Sequence, residues 1–415
     1  MNTRRLTILA AAAIAMLAAS LWHLHVINRD MPSTHSDLVP VWVGVRATIA
    51  GQDPYSDATT RATQIAYYGR ALRPSDGDMN RMGYVYPAYT AIALAWLAPL
   101  GWPTVRLICL VIFAAITAAS VPLWLDIAGM QITRSRALLT TLIVMVSWPI
   151  MWALRLQQVS LLVAALVALG CWLLKRNRNV AAGVLLALAT IKPQLVAPLL
   201  AWLLLWSILA RRWRFIASLT ASIGALLAAA QWLSPGWFPR WREAGIDLMH
   251  YTHQQPALET FFGGMIGRAL MIALAVLAAA ALWRLRKCSA DSAEFGTAIS
   301  VALGVTLALM PTTMPMIYNQ VFLVPGCLLL VHTASRSIAR SVAMGALAWG
   351  FVATPIAAIG ETLSHSPTLQ LVPFWNLLLP VAVVAALGIG DLPLLYRHPD
   401  RRAIRTDDHA EVVEA

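Results

Sequence analysis

The stretch SDLVPVWVGVRATIAGQDPY, residues 36–55, decides the fold class together with the apolar segment 6–22 that comes before it. Residues 6–22 can anchor the chain in a membrane, so residues 36–55 begin a polar region just outside the first span. Arg4 and Arg5 precede the apolar segment as in a signal peptide, but no clear small-residue cleavage site follows. We therefore predict an uncleaved anchor followed by an external loop.

The composition of the whole chain also indicates a membrane protein. Of the 415 residues, 59% are apolar and 12% are charged, more apolar surface than a soluble domain could bury. The net charge of +12 comes mostly from short Lys/Arg clusters between apolar runs, so no nucleic-acid partner is expected. The four cysteines are scattered without CxxC spacing, which indicates neither a disulfide framework nor a zinc site.

The basic clusters predict the topology, because Lys and Arg are enriched in cytoplasmic loops. From Lys175 onward the apolar segments alternate consistently, and the segments without a basic cluster lie outside. Residues 84–155 allow two arrangements. In one, Arg134 and Arg136 lie inside and 86–100 is a short re-entrant segment; in the other, 86–100 spans the membrane and both arginines lie outside.

The prediction for the fold is an all-α polytopic membrane protein with about 12 transmembrane helices. Residues 1–395 form one integral-membrane domain, and residues 396–415 form a charged cytoplasmic tail without fixed structure. The first external loop, 28–84, carries a helix at 38–50 whose apolar stripe suits the membrane surface.

Asp37 lies at the start of that helix. Its carboxylate could cap the helix and favour its positive end. Alternatively, it could be a general base that accepts a proton from an acceptor hydroxyl at the outer membrane face. Asp53 lies between a glycine-containing turn and a proline, and is interpreted as a turn residue.

Lys192 is a lone lysine within the apolar segment 179–209, and Pro193 follows it. Charges inside a membrane usually face a polar cavity or a partner, and helices broken at depth normally line a site. Lys192 could reach the lipid headgroups instead. The functional interpretation is that it binds a lipid phosphate, together with Arg155 and Gln158 on the same side.

A third polar cluster lies in and after the external loop 234–262. It contains His250, His253 and Gln254, and Arg268 follows. Two histidines three residues apart can bind a metal, but no third ligand is suitably spaced, so no metal is predicted. Hydrogen bonding to a sugar or phosphate is one interpretation, and a plain interfacial loop is the other.

A fourth polar cluster is Tyr318, Asn319 and Gln320, at the outer end of an apolar helix. Amides at this position could bind sugar hydroxyls or satisfy one another. The chain has no GxxxxGK loop, no HExxH and no nucleophile elbow. No cytoplasmic loop is long enough for a nucleotide-sugar domain, so a sugar donor would have to come from the membrane.

Several motifs in a fixed order are similar to glycosyltransferase family 87, also classed as a domain of unknown function (DUF2029). The similarity runs over roughly residues 30–335. The motifs are Ser36-Asp37, Gly51-Gln52-Asp53-Pro54-Tyr55, Tyr84-Val85-Tyr86-Pro87, Pro99-Leu100-Gly101, Gln158-Val159-Ser160-Leu161-Leu162, Ala182-Gly183-Val184 and Ile191-Lys192-Pro193.

The resemblance implies the GT-C fold, an integral-membrane bundle with an extracytoplasmic active site. It implies an inverting transfer of mannose from polyprenyl-phosphate mannose, with Asp37 as the base and Lys192 as the family's Lys-Pro lysine. The sequence departs from the family at Gln157, where the family has glycine, and at Ser160, where it has asparagine. It also departs at 253–256 and 318–320, so the donor sugar and the acceptor stay open.

The function predicted from these observations is an inverting hexosyltransferase of the bacterial inner membrane with its active site facing the periplasm. Asp37 is the base; Lys192, Arg155, Gln158 and Arg268 hold the lipid phosphate. The sugar or acceptor is bound by His250, His253, Gln254, Tyr318, Asn319 and Gln320.

The partners predicted are a lipid-linked sugar donor, the bilayer, and an acceptor that is a glycan, a glycolipid or a protein. No metal or cofactor is required. One alternative is a multi-span transporter, which would show paired charges at mid-membrane and related halves. The other is a non-catalytic membrane component of a glycan or lipid assembly system.

Overall fold

The computed structural model describes residues 34–333 except 78 and 313, residues 378–389, and the isolated positions 14 and 18. These residues form sixteen α-helices, five 3-10 helices and two short strands. In chain order the α-helices are α1 (Leu38–Ile49), α2 (Asp57–Tyr68), α3 (Thr90–Ala93), α4 (Trp102–Ile127), α5 (Arg134–Met145), α6 (Trp148–Leu156), α7 (Ser160–Lys175), α8 (Asn179–Leu188), α9 (Pro193–Leu209), α10 (Trp213–Leu233), α11 (Trp237–Tyr251), α12 (Ala257–Phe262), α13 (Gly264–Arg284), α14 (Ala293–Leu309), α15 (Val324–Thr333) and α16 (Leu379–Ile389).

The shorter elements lie between these helices. Strands β1 (Gln255–Pro256) and β2 (Pro311–Thr312) pair antiparallel, with Gln255 opposite Thr312 and Pro256 opposite Pro311. This pairing ties the segment after α11 to the segment after α14. The 3-10 helices are Pro74–Asp76, Ala95–Leu97, Ala189–Ile191, Leu285–Lys287 and Met314–Leu323.

Within the described residues, three helices are long and apolar enough to cross a membrane: α4, α10, and α13 with its following turn to Lys287. The pair α5 and α6, bent by 62°, could be a fourth span. Most other apolar helices have 10–17 residues, fewer than the ~20 that a straight span needs. The polytopic helical architecture thus agrees with the prediction, and the number of about 12 spans stays a prediction.

Several predicted segments lie outside the described residues. They are the anchor at 6–22, of which positions 14 and 18 alone are described, the span at 341–360, the external segment 361–368 and the tail 396–415. The predicted last span, 371–390, is described only at 378–389, where α16 lies.

Helices α4 and α7 run in the same direction, which resolves the two arrangements for residues 84–155. At one end, the side-chain amide of Gln157 donates to the carbonyl of Arg106. At the other end, Lys175 and Arg176 pair with Asp126 at 3.0 and 2.9 Å. We call this second end of the bundle the Asp126 end.

Arg134 and Arg136 follow α4 at the Asp126 end, on the same side as Lys175. The segment 86–100 contains the four-residue α3 and the 3-10 turn Ala95–Leu97, which are too short to span. The structure therefore supports the arrangement with a re-entrant 86–100 segment.

The first loop packs onto the bundle at the opposite end, which we call the Asp37 end. Helix α1 matches the predicted 38–50 helix to within one residue, and most of its residues are buried, including Val41 and Val45. Gly44 lets this helix approach Tyr84 closely, since a Cβ there would lie 2.1 Å from the ring. Helix α1 therefore lies on protein over most of its surface and exposes Arg46 and Ile49.

Candidate active site

A cavity of about 1250 Å³ opens between the first loop, the α6–α7 and α8–α9 junctions, α11 and the segment 305–319. Its size exceeds the range of ordinary small-ligand sites, about 300–1,000 Å³. Its lining combines apolar side chains of α9 and α14 with a polar wall. Seven of the predicted site residues line it: Asp37, Gln158, Lys192, His253, Gln254, Tyr318 and Asn319.

Asp37 is held at the wall of this cavity by its backbone and does not cap its helix. Its N–H donates to the carbonyl of Leu156 at 3.0 Å, and its side chain makes no capping hydrogen bond. Ser36 interacts with the helix start instead, because its hydroxyl accepts from the N–H of Leu38 at 3.2 Å. The carboxylate accepts a hydrogen bond from the side-chain amide of Gln158. The capping interpretation is therefore wrong for this side chain.

Gln158 lies in the break between α6 and α7. The preceding residue, Gln157, ends α6 in the left-handed region with φ 52°, which costs a non-glycine residue free energy. Hydrogen bonds of the Gln157 side chain to Ser36 and Arg106 hold this conformation. Glycine, which the resemblance described above implies at this position in the family, adopts such angles without cost.

Lys192 lies in a second break, between the 3-10 turn Ala189–Ile191 and α9. Pro193 opens α9, and Lys192 adopts the extended φ of −124° typical of a residue before proline. The hydroxyl of Tyr89 donates to the carbonyl of Thr190 at 2.7 Å and ties this turn to the re-entrant segment. The lysine is 8% exposed and points into the protein, so the interpretation of a headgroup-seeking lysine is wrong.

The ammonium group of Lys192 is enclosed by polar and aromatic groups. It donates to Gln158 Oε1 and to Ser160 Oγ, both at 2.9 Å. The rings of Tyr86 and Tyr318 lie on it at 5.6 Å each, within the range of cation–π attraction. Sequence reasoning had not assigned Tyr86 a role, although it lies in the Tyr-Val-Tyr-Pro motif.

Ser160 connects Lys192 to the segment before α15. Its hydroxyl accepts from Lys192 and donates to Asn319 Oδ1 at 2.6 Å. A continuous hydrogen-bonded chain therefore runs from Asp37 through Gln158, Lys192 and Ser160 to Asn319. Ser160 was predicted only as a departure from the family pattern, and its spacing of two residues from Gln158 was the signal available.

Burial raises the pKa of Asp37 from 3.8 to about 6. The charges of Lys192 and Arg155 and the hydrogen bond from Gln158 act in the opposite direction. Asp37 is therefore ionised at neutral pH and yet is a stronger base than an exposed aspartate. A carboxylate with these properties suits general-base chemistry.

His253 and Gln254 form the far side of the cavity, just after α11. His253 adopts φ 49°, and the pairing of β1 with β2 follows directly. The Nε2 atom of Gln254 is buried and has no hydrogen-bond partner within the described part of the chain. A donor of this kind at a cavity wall is available to an incoming hydroxyl or phosphate.

Four of the predicted site residues do not line the cavity. Arg155 lies beside Asp37, and its Nη1 donates to the carbonyl of His35 at 3.1 Å. Arg268 is largely exposed and pairs with Glu259 at 3.3 Å. His250 is exposed on α11, and Gln320 is buried next to Asn319.

Asp53 has the predicted turn role and a second one. Its Oδ1 accepts from the N–H of Tyr55 at 3.1 Å, which stabilises the turn. Its Oδ2 pairs with Arg240 of α11 at 2.8 Å. The indole of Trp241 donates to the carbonyl of Val85 at 3.1 Å. These contacts hold α11 against the first loop over the cavity.

Comparison with known proteins assigns this architecture to a family. The sequence profile of glycosyltransferase family 87 matches residues 84–315, which include Gln158, Lys192, His253 and Gln254. No curated protein and no solved structure matches the chain. Because the match covers more than half of the 415 residues, the chain belongs to glycosyltransferase family 87 and is a membrane glycosyltransferase.

Proposed function

We propose that this glycosyltransferase moves a hexose from a polyprenyl-phosphate sugar to an acceptor hydroxyl at the extracytoplasmic face, and that the hexose is mannose. The acceptor oxygen forms a bond to the anomeric carbon as the bond from that carbon to the phosphate oxygen breaks. The hydroxyl proton goes to Asp37, and the electron pair leaves with polyprenyl phosphate. The acceptor is a glycan, a glycolipid or a protein.

The observation that carries this proposal is the placement of Asp37 and Lys192 on one wall of one cavity. A carboxylate with a raised pKa can accept the proton of the acceptor. A buried ammonium group held in place by Gln158 and Ser160 can stabilise the charge that develops on the departing phosphate. A monophosphate leaving group of this kind requires no metal or cofactor.

Inversion at the anomeric carbon is supported by the number of carboxylates. Among the described residues that line the cavity, Asp37 is the one acidic side chain. A double displacement uses a carboxylate nucleophile together with a second group that exchanges protons. A single displacement assisted by one base fits the residues present and inverts the configuration.

The remaining lining residues suit the other parts of the two substrates. Gln254 and Asn319 offer amides, and His253 an imidazole, to sugar hydroxyls. The apolar side chains of α9 and α14 that line the cavity, such as Leu195 and Leu309, suit a polyprenyl chain. Membership of a glycosyltransferase family favours transfer over the transporter and the non-catalytic component.

The test is the Asp37→Asn variant, assayed in detergent for transfer from a radiolabelled polyprenyl-phosphate mannose and from the corresponding glucose and galactose donors. Loss of the general base should reduce kcat by ~10²–10⁴-fold. The same change should not lower stability at neutral pH, because it removes a partly buried charge. Asp57→Asn, which alters an exposed carboxylate of the same loop, is the matched control. Unchanged turnover in Asp37→Asn would remove Asp37 from the mechanism.

A further inference from the structure

Gln158 uses both ends of its side-chain amide within the protein. Its Nε2 donates to Asp37 Oδ2, and its Oε1 accepts from Lys192 Nζ at 2.9 Å. The side chain of Tyr318 is a further hydrogen-bond partner, and the whole residue is 2% exposed. The amide is therefore already engaged and not free for the lipid phosphate, which was its predicted ligand.

The two charges on either side of this amide would otherwise pair directly. A buried carboxylate and a buried ammonium attract each other strongly when no group separates them. A direct pair would make Asp37 a weaker base, because a close positive charge favours the ionised form. It would also occupy Lys192 with a partner other than the phosphate.

We propose that Gln158 is a positioning residue that holds Asp37 and Lys192 apart, so that Asp37 remains a strong base and Lys192 remains available to the phosphate. The inference rests on the proposed function, in which Asp37 is the base and Lys192 the phosphate-binding group. It gives Gln158 a specific part in the reaction although it contacts neither reacting atom.

The chemistry of a carboxamide explains why glutamine suits this place. An amide donates only from nitrogen and accepts only at oxygen, so one orientation satisfies a carboxylate on one side and an ammonium on the other. Asparagine is one methylene shorter and could not reach both partners. Glutamate would repel Asp37, and an apolar side chain would leave the two charges free to meet.

The backbone around Gln158 is fixed by contacts independent of its side chain. The Gln158 N–H donates to the carbonyl of Ala153 at 2.9 Å, and Ser36 contacts the Leu156 carbonyl at 2.9 Å. Substitution of the side chain should therefore leave this helix junction in place. Lys192 has a flexible four-carbon stem and can follow the vacated space towards Asp37.

Other groups around Asp37 also influence its ionisation. The charges nearest to it are Lys192 and Arg155, and its influence extends to the hydroxyls of Tyr67, Tyr86 and Tyr318. The three tyrosines are neutral near pH 6, and Arg155 keeps its charge at every pH used. A downward shift in the pKa of Asp37 on substitution of Gln158 therefore reports a shorter distance to Lys192.

The test is the pH dependence of kcat/KM in Gln158→Met, which keeps the side-chain length and removes the amide. Direct pairing with Lys192 should move the acidic limb of the profile by about one pH unit or more towards lower pH. At neutral pH, kcat should fall and the KM for the donor should rise. A limb that stays in place or moves to higher pH would overturn the inference, because a simple hydrogen-bond donor gives the upward shift.

A second variant and a control keep the test decisive. Gln158→Glu has the same shape and places two carboxylates side by side, so the acidic limb should move to higher pH; an unmoved limb counts against the inference. Gln158→Glu replaces Gln158→Met in the test if the methionine variant aggregates on size-exclusion chromatography. Gln64→Met removes another buried amide, which within the described residues bonds to the backbone of Arg81 and Leu72. This variant should lower stability without moving the acidic limb of the pH profile. If the wild-type protein transfers no sugar, the proposed function fails; if only the shift is missing, the inference alone fails.

Discussion

Replacement of Lys192 by methionine tests the proposal that this residue stabilises the leaving group. Methionine has nearly the length of lysine and can lie between the rings of Tyr86 and Tyr318, but it carries no charge. The two hydrogen bonds of 2.9 Å to Gln158 and Ser160 are lost, together with both cation–π contacts. The change therefore removes the ammonium group and keeps the packing.

The expected loss of activity follows from the burial of the Lys192 ammonium group. Removing one preorganised donor from a water-excluded site costs ~10²–10³-fold in kcat, or about 2.7–4 kcal/mol of transition-state stabilisation. The effect on stability should be small, since two lost hydrogen bonds are offset by the desolvation cost of a lysine that is 8% exposed. The loss of activity thus reports the chemistry and not the fold.

The assay is a single-turnover measurement with a radiolabelled polyprenyl-phosphate sugar at saturating acceptor, which separates the chemical step from product release. Lys175→Met is the matched control, because Lys175 pairs with Asp126 at the opposite end of the bundle. Lys175→Met should lower the melting temperature and leave kcat unchanged. A Lys192→Met protein with a kcat close to that of the wild type would refute the assignment of Lys192 to the leaving group.

Two further predictions concern the base and the packing of the first loop. Because the fold raises the pKa of Asp37 to about 6 and the ionised form is the base, kcat/KM should fall as the pH drops through 6 and level off above it; a profile flat down to pH 5 would contradict this. The free energy of unfolding should change with pH in the opposite direction. The Asp37 carboxyl loses its proton near pH 3.8 in the unfolded chain and near pH 6 in the folded protein, so its contribution to stability declines as the pH rises from 3.8 to about 6. Gly44→Ala would place a Cβ 2.1 Å from the Tyr84 ring and should cost about 1–3 kcal/mol in a melting experiment. In Gly224→Ala of α10, the added Cβ would have no described atom from outside its own helix turns within 4 Å, so this variant should be neutral or stabilising. Equal losses in the two variants would argue against the close α1 contact.

The sequence predicted the two charged residues of the site because each is conspicuous in its surroundings. Lys192 is costly within an apolar segment, and Pro193 marks the break that exposes it to a cavity. Asp37 follows an apolar anchor and opens an amphipathic helix. In both cases the charge stands out against the residues next to it in the sequence. Both residues can therefore be identified as candidates without knowledge of the tertiary structure.

Whether His250 and Arg268 face the cavity depends on the rotational phase of their helices, which the sequence pattern did not predict. Most of α11 between Trp241 and Tyr251 contributes to the cavity wall, but His250 is not part of that lining and is exposed. Arg268 follows Gly267, whose missing side chain lets the first turn of α13 pack against Glu259. That close contact orients Arg268 towards Glu259 instead of the cavity.

Gln158 was grouped with Lys192 from the sequence, but its three other partners were not predictable, for a different reason. Tyr86, Ser160 and Tyr318 come from three separate parts of the chain and meet only because two helix breaks lie at the same end of the bundle. Serine and tyrosine are also ordinary residues at helix starts and membrane interfaces, so their presence carries little information alone. Their role is defined by the lysine that they enclose.

The site is assembled from two parts that the chain builds separately. Gln158, Ser160 and Lys192 lie at the breaks of the helical bundle, inside the region that matches the family profile. Asp37 lies before that region, and the first loop that carries it docks on the end of α6 through the Asp37 N–H and the Ser36 hydroxyl, both on the Leu156 carbonyl. A change that loosens this docking would withdraw Asp37, the proposed base, while leaving Lys192, the proposed phosphate-binding group, in place. Donor binding should therefore survive such a change, and transfer should not.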